Sequence, residues 1–450
     1  MMKPAAWKPV RKYLAQWAEP ESGQILACLG EDRRYGHVLC IPAHGEGEGI
    51  LQTLASVPKG PGGDVLIIVV VNDTNASPAW VRKANQDSLA ALRGGTARAT
   101  GPGTLMERHV HPRGDLLIID RTHSGQPLPE GQGVGLARKI GADVALALWS
   151  ADRIESPWIH CSDADVSFPA NYFSRPLAAA GDPLLGKGPA AFVYDFRHVL
   201  EPDPEVACAA LRYEIFLRYY VLGLRSAGSP YAFHTIGSTL AISPLAYAQA
   251  RGFPKRRAAE DFHLLAKLAK LGPVDALRGE PILLSGRVST RVPFGTGAGI
   301  ARELERIQAG EFYPAYDPRI FTWLGVWLRT LGSLGSGNLS LRAYLSEHAA
   351  AAPAVAKVDA TLLHDILEEL GALGPAESGR GRGLRHLHER FDALRTLRFI
   401  HCLRDHHFPS VPLEEAIRTA AFLPRAALGE KRDLNSTCQT LARIEATNLV

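Results

Sequence analysis

Long hydrophobic runs are missing from this sequence of 450 residues. The longest unbroken aliphatic run, Val65 to Val71, holds seven residues, whereas a membrane-crossing helix takes about 20. No transmembrane segment is expected. Met1 to Pro20 contains lysines, an arginine and a glutamate but no apolar signal core. Cysteine is scarce: the six residues Cys28, Cys40, Cys161, Cys208, Cys402 and Cys438 are scattered, with no C-x-x-C pair. That excludes a disulfide scaffold and a structural zinc site, and it fits a reducing, cytoplasmic setting. An excess of one charge is also lacking. The formal net charge is +4, too small for a general nucleic-acid binder. Beyond residue 300 the chain carries 18 basic and 18 acidic residues, so the positive excess lies in the first 300. An anionic small-molecule ligand is expected there.

What the sequence does have is a regular alternation. Residues 1–35 read as a helical preface, with Trp7, Tyr13, Leu14 and Trp17 at roughly helical spacing. Short apolar runs follow at 37–42, 64–71, 115–120 and 157–161. Between them lie amphipathic or apolar helical stretches at 48–57, 78–92 and 134–149. Strands alternating with helices imply a mostly parallel sheet with both faces covered. Ligands in such sheets bind beyond the carboxyl ends of the strands, which directs attention to Ala43–Glu46, Asn72-Asp73, Asp120 and Asp163–Asp165. A further strand at 190–196 and helices at 205–224, 244–250 and 258–271 precede a glycine-rich loop, 287–299. After that the pattern is almost wholly helical, at 301–309, 319–331, 339–350, 359–370, 384–406, 412–421 and 433–447. The expected organisation is an N-terminal helical extension (1–35), an α/β domain (36–300) and a C-terminal all-helical domain (301–450), the last a candidate surface for homo-oligomer formation.

Three acidic constellations stand out. Asp163-Ala164-Asp165 follows the apolar run PWIHC, and two carboxylates one residue apart on a turn suit a hard cation such as Mg²⁺ or Mn²⁺. An exposed acidic turn is the plainer explanation of that motif taken alone. Glu260-Asp261 opens the segment EDFHLLAKLAKLG. Acidic residues in a first helical turn favour the helix dipole, and a buried aspartate there suits a general base for a hydroxyl. Asn72-Asp73 ends the run DVLIIVVV and is either a simple turn or an acceptor for a base or ribose.

Taken together and in order, these residues resemble the family 2 glycosyltransferases. VLCIPAHGEGEGILQTLASV is similar to that family's first strand and helix, and DVLIIVVVNDT to its second strand and nucleotide-binding aspartate. GVGLARKIGADVAL is similar to its G-x-G-x-ARN-x-G helix, PWIHCSDADVSFPANYF to its D-x-D strand, and GSTLAISPLAYAQARGFPKRRAAEDFHLLAKLAKLG to its acceptor-side loop and E-D helix. The resemblance spans about residues 36 to 300. It implies the GT-A fold, a Rossmann-like nucleotide-diphospho-sugar transferase domain, and an inverting, metal-dependent transfer of a sugar from a UDP- or GDP-sugar to a hydroxyl acceptor. By the same resemblance, Pro42, Ala43 and Glu46 line the nucleotide pocket, Asp73 contacts the base or ribose, and Arg138 and Lys139 approach the donor. Asp163 contacts the sugar or the ribose, Asp163 and Asp165 face the metal, Asp261 is the base and Glu260 its neighbour. Arg287 and Arg291 are placed to assist the phosphates, since guanidinium pairs with phosphate oxygens. Departures from the family pattern are Gly45 for the usual asparagine, His44 for the usual tyrosine and Lys139 for a common asparagine. The Q-x-x-R-W motif of processive synthases is absent.

Alternatives remain at this level. One is a retaining transferase similar to mannosylglycerate or glucosyl-3-phosphoglycerate synthase, with His234 or His263 as the extra metal ligand. Another is a non-catalytic sugar-nucleotide-binding protein. The glycines at 131, 133 and 135 lack the full dinucleotide fingerprint. The histidines 386, 388, 401, 406 and 407 fall on or beside an amphipathic helix and read as a solvated face rather than a ligand set. The surrounding stretch 380–404 holds seven arginines against two acids, a candidate contact for an anionic acceptor or surface. FTWLGVWL (321–328) reads as core or subunit interface.

Overall fold

The structure is a computed structural model. It describes residues 7–29, 33–94, 97–98, 105–122, 126–179, 188–289, 291, 295–334, 391–424 and 433–447. The chain divides into two compact units, Met1–Val199 with Thr235–Ala298, and Leu200–His234 with Gly299–Val450.

The first unit is built on a ten-stranded sheet, ordered β3-β4-β5-β2-β1-β6-β9-β8-β10-β7. Its centre is parallel. β1 (His37–Ala43) lies between β2 (Val65–Asn72) and β6 (Ile159–Cys161), and β2 pairs onward with β5 (Gly114–Arg121). Every residue of β1 and β2 is buried, as continuous apolar runs between two covered faces must be. The connections are α3 (Ile50–Ser56), α4 (Ala79–Arg93) and α5 (Gly133–Ser150). Because these four strands run the same way, their carboxyl ends meet at one edge of the sheet.

The flanks are mixed. β3 (Ala97–Arg98) and β4 (Met106–His111) extend the sheet beyond β5, and β9 (Leu240–Ile242) joins β6 to β8 (Ala191–Val199). β10 (Val274–Ser285) runs parallel to β8 with a shift of register between Leu277 and Ile282, and its far side pairs with β7 (Val166–Ser167). Beside them lie α6 (Ser174–Ala179), α8 (Pro244–Gln249) and α9 (Glu260–Leu268).

The two units divide the chain at other places than the expected domains do. The N-terminal extension belongs to the first unit, as α1 (Trp7–Gln16) and α2 (Glu21–Leu29). Tyr13 on α1 is fully buried and donates from its hydroxyl to Asp143 of α5 at 2.6 Å. Segment 200–234, expected within the α/β domain, belongs to the second unit. Its helix α7 (Pro204–Ser226) is capped by Asp203, which accepts from the Glu205 and Val206 amides. Ile215, Tyr219 and Leu222 of α7 bury into one core with Phe321, Trp323 and Trp327 of α11 (Pro318–Leu334) and Phe399 and Ile400 of α12 (Ala393–His406). FTWLGVWL is thus core. α10 (Thr296–Gln308), α13 (Leu413–Thr419), α14 (Leu434–Thr447) and the short pair β11 (Pro314–Ala315) and β12 (Val411–Pro412) complete the described α-helices and strands. The expected helices 339–350 and 359–370, and residues up to 390 of 384–406, lie outside the described residues. No helix among the described residues is long and apolar enough to cross a membrane.

Candidate active site

The sheet edge gathers the acidic groups. β1 delivers Ala43 and the turn His44–Glu46. β2 delivers Asn72 and Asp73, and β6 delivers Ser162 to Asp165. A hydrogen-bonded lattice holds the first two together. The Asn72 amide donates to the Ala43 carbonyl at 2.9 Å. The Asn72 carbonyl accepts from Asn85 Nδ2 at 2.9 Å and pairs with His44 Nδ1 at 2.8 Å. The Gly45 amide donates to Asn85 Oδ1 at 2.9 Å. Pro42 and Ala43 are buried within β1, so they form the floor of this edge and present no polar side chain to it.

Asp73 is the anomaly of the lattice. It is 1% exposed, and neither carboxylate oxygen has a hydrogen-bond partner among the described residues. Its backbone is fully used, the amide donating to Arg121 and the carbonyl accepting from Leu128. A buried carboxylate without a donor is costly.

Arg138 is the centre of the second half. It is 4% exposed, on the first turns of α5. Its Nε donates to Glu260 at 2.8 Å, Nη1 to the carbonyls of Ser162 at 3.1 Å and Gly237 at 3.0 Å, and Nη2 to Asp163. One guanidinium therefore ties the D-x-D turn to the first turn of α9. Gly237 is required for this: a Cβ there would lie 2.4 Å from Nη2. Gly135 plays the matching part for the helix. A Cβ would meet the carbonyl oxygens of Pro254 at 2.5 Å and Arg256 at 2.6 Å, in the segment leading to α9. Ala259, just before Glu260, holds a left-handed φ of 61°, a strained conformation for a residue with a side chain.

Asp261 follows. Its carboxyl is pushed up to about 7, first by burial and then by Glu260, against the opposing pull of Arg138 and of the Phe262 amide, which donates to it at 2.7 Å. An acid poised near neutrality is suited to proton abstraction.

Asp165 faces another set of groups. It accepts from Arg287 Nη2 at 2.9 Å and lies 3.5 Å from Arg291 Nη2. Glu46 bridges the same two arginines, accepting from Arg287 Nη2 at 2.7 Å and from Arg291 Nη1, which also donates to the His44 carbonyl. Burial, Glu46 and Asp163 together push the Asp165 carboxyl up to about 6 in spite of the two guanidiniums.

Of the residues singled out in the sequence, Glu46, Arg138, Asp163, Asp165, Glu260, Arg287 and Arg291 form these two linked clusters, with Asp261 beside the second and Asp73 on the neighbouring strand end. Two residues expected at the donor are engaged by protein groups. Lys139 faces α1 and the residue just after it. It is buried on another face of α5, where its ammonium donates to Tyr13 at 2.7 Å, to the Trp17 carbonyl at 2.8 Å and to Asp143. One residue along a helix is a turn of about 100°, which sends neighbours to different surroundings. Arg138 has its donor atoms engaged by protein groups and positions the acids instead of reaching outward. His234, a candidate metal ligand, pairs with Glu445 at 2.8 Å. His401 pairs with the Tyr316 hydroxyl at 2.9 Å. The carbonyls of Ser162 and Gly237, and Asn85, contribute to the site without any sequence signal beyond the glycine itself.

A divalent cation does not fit this arrangement as it stands. Mg²⁺ and Mn²⁺ take several oxygens at once. Among the described residues no group of three histidine, cysteine or acidic side chains converges to hold one, because Asp163 is bound to Arg138 and Asp165 and Glu46 are bound to Arg287 and Arg291.

No family model matches the sequence, and no curated protein matches it. Two solved structures are similar in outline. One is the mannosyltransferase PcManGT from Pyrobaculum calidifontis in complex with GDP-Man and Mn²⁺, at 16% identity, covering 89% of this chain and 93% of that one with a TM-score of 0.34. The other is S. aureus TarS 1-349 in complex with UDP-GlcNAc, at 10% identity, covering 79% of this chain and 91% of that one with a TM-score of 0.35. Superposition at that level assigns neither fold family nor function, so the functional reading rests on the residues themselves.

Proposed function

We propose that the first unit is a glycosyltransferase of the GT-A type, moving a sugar from a nucleoside-diphosphate sugar, a UDP- or GDP-sugar, to a hydroxyl acceptor with inversion at the anomeric carbon. The observation that carries this reading is the Arg138 clamp. It holds Asp163 of the D-x-D turn and Glu260 of the E-D pair on one guanidinium, with the proton acceptor Asp261 alongside. In the transfer, the acceptor oxygen forms a bond to the anomeric carbon as the bond to the diphosphate breaks. Asp261 takes the hydroxyl proton. The departing diphosphate gains negative charge, which Arg287 and Arg291 are chemically suited to neutralise. Asp73 supplies a buried acceptor pair to the nucleoside. The test is incubation with UDP- and GDP-sugars and a panel of hydroxyl acceptors, with the product anomer read by NMR. An inverted product supports this mechanism; a retained one removes Asp261 as base.

The role of Asp73 has its own consequence. The Asp73 carboxylate has no hydrogen-bond partner among the described residues, so Asp73→Ala is expected to leave the melting temperature unchanged or to raise it. Nucleotide affinity falls by about tenfold or more, the loss expected for a hydrogen bond to a charged group. Titration of UDP and GDP into wild type and variant, beside a thermal melt, checks both halves. A destabilised variant with unchanged nucleotide affinity makes Asp73 a structural group.

A further inference from the structure

The acid-rich turn and the lack of a cation cage are at odds, and the arginines of the 287–291 segment explain the conflict. Arg287 Nη2 sits between Glu46 and Asp165, 2.7 and 2.9 Å from them, while Arg291 binds Glu46 and lies 3.5 Å from Asp165. These two guanidiniums occupy both oxygens of Glu46 and Oδ2 of Asp165, where they compete with a cation. They are also the described cations on Asp165, the second carboxylate of the D-x-D turn. Arginine on a carboxylate is readily exchanged for arginine on a phosphate, since both present paired oxygens to the same planar fork.

We infer that Arg287 and Arg291 form an exchangeable plug: in the free chain they neutralise Glu46 and Asp165 and keep divalent cations out, and a diphosphate draws them away so that Asp165 is released to a cation only when the donor is present. Glu46 is then a positioning residue that parks the arginines. It competes with the diphosphate for them and does not itself contact the donor. Since coupling is reciprocal, whatever the diphosphate does for cation affinity the cation does for the diphosphate. The inference rests on the reading of this edge as a nucleoside-diphosphate-sugar site, but the plug is testable without any sugar transfer.

The experiment uses the full chain and two probes kept apart. Mn²⁺ alone, followed by the electron paramagnetic resonance signal of the free ion, is titrated into wild type and into the double variant R287Q/R291Q. Pyrophosphate alone, with a chelator present, is titrated calorimetrically into wild type and E46Q. The double variant is expected to bind Mn²⁺ at least tenfold more tightly than wild type, because Glu46 and Asp165 are unplugged. E46Q is expected to bind pyrophosphate at least tenfold more tightly, because the arginines lose a competitor. Equal Mn²⁺ affinity in wild type and double variant overturns the plug. If the double variant fails to fold, E46Q decides, and unchanged or weaker pyrophosphate binding overturns it. A parallel titration with UDP and GDP separates the two ideas. Tighter Mn²⁺ binding in the double variant with no nucleotide binding in wild type keeps the plug and removes the transferase reading. Nucleotide binding with no gain in Mn²⁺ affinity does the reverse.

Discussion

Asp261→Asn is expected to abolish turnover while making the protein more stable above neutral pH. The two effects share a cause. The wild-type carboxyl is pushed up to about 7 by burial and by Glu260, so ionising it in the folded chain works against folding. The sign follows from linkage. An acid whose folded value lies above its unfolded value near 4 contributes most to stability at low pH, and that contribution is lost as the pH rises through about 7. Asparagine keeps the shape and removes the ionisation. Melting curves of wild type and variant should therefore coincide near pH 4 and separate as the pH rises, the variant melting higher at pH 8. Loss of a general base costs about 10² to 10⁴ in kcat, and the wild-type rate should fall on the acid side of about pH 7. Glu260→Gln does not share this pattern, because Glu260 is the partner of Arg138. Near-wild-type kcat in Asp261→Asn removes the proposed mechanism; a variant less stable than wild type at pH 8 removes the account of its electrostatics.

Arg138→Met is expected to be among the most damaging single changes to the first unit. It keeps an apolar stem but removes the guanidinium, with its hydrogen bonds to Asp163, Glu260 and the carbonyls of Ser162 and Gly237. Glu260, 4% exposed, is left as a buried charge without its cation. Breaking such a pair from one side costs about 3 to 5 kcal/mol. The double variant Arg138→Met with Glu260→Gln should recover a large part of that loss, since the stranded charge is gone. Recovery of stability without recovery of turnover separates folding from positioning. Chemical denaturation of the two variants measures it, and a loss below about 1 kcal/mol for Arg138→Met would make the clamp incidental.

Much of the parallel centre was legible because its strands are short apolar runs ended by polar residues. The run 64–71 corresponds to β2, 115–120 to β5 and 134–149 to α5. β10 was not legible. Its sequence VDALRGEPILLS alternates irregularly in burial, with Pro281 inside and Gly279 at a φ of 132° where the register shifts. The outer strand β4, MERHVH, is too polar to announce itself. The acids of the site were visible as local motifs, and Arg138, Arg287 and Arg291 were named with them, whereas which arginine meets which acid was not visible. Arg138 meets Glu260 across 122 positions, and Arg287 meets Glu46 across 241. Such pairings are set by the topology that brings strand ends together and leave no trace in local spacing. Lys139, placed beside Arg138 by the family resemblance, pairs in the structure with Tyr13 and Asp143, a partnership that local spacing does not reveal.

On the proposed function, this sheet edge binds a nucleoside diphosphate. A thermal-shift panel of UDP, GDP, ADP and dTDP, with and without Mn²⁺, addresses it most directly. A ligand present at 100 times its dissociation constant stabilises by about 2.7 kcal/mol, which is about 5 to 10 °C for a unit of this size. UDP or GDP should produce a shift of that order in wild type and a clearly smaller one in Asp73→Ala. No shift with any of the four nucleotides, with or without Mn²⁺, or an equal shift in the two proteins, would contradict it.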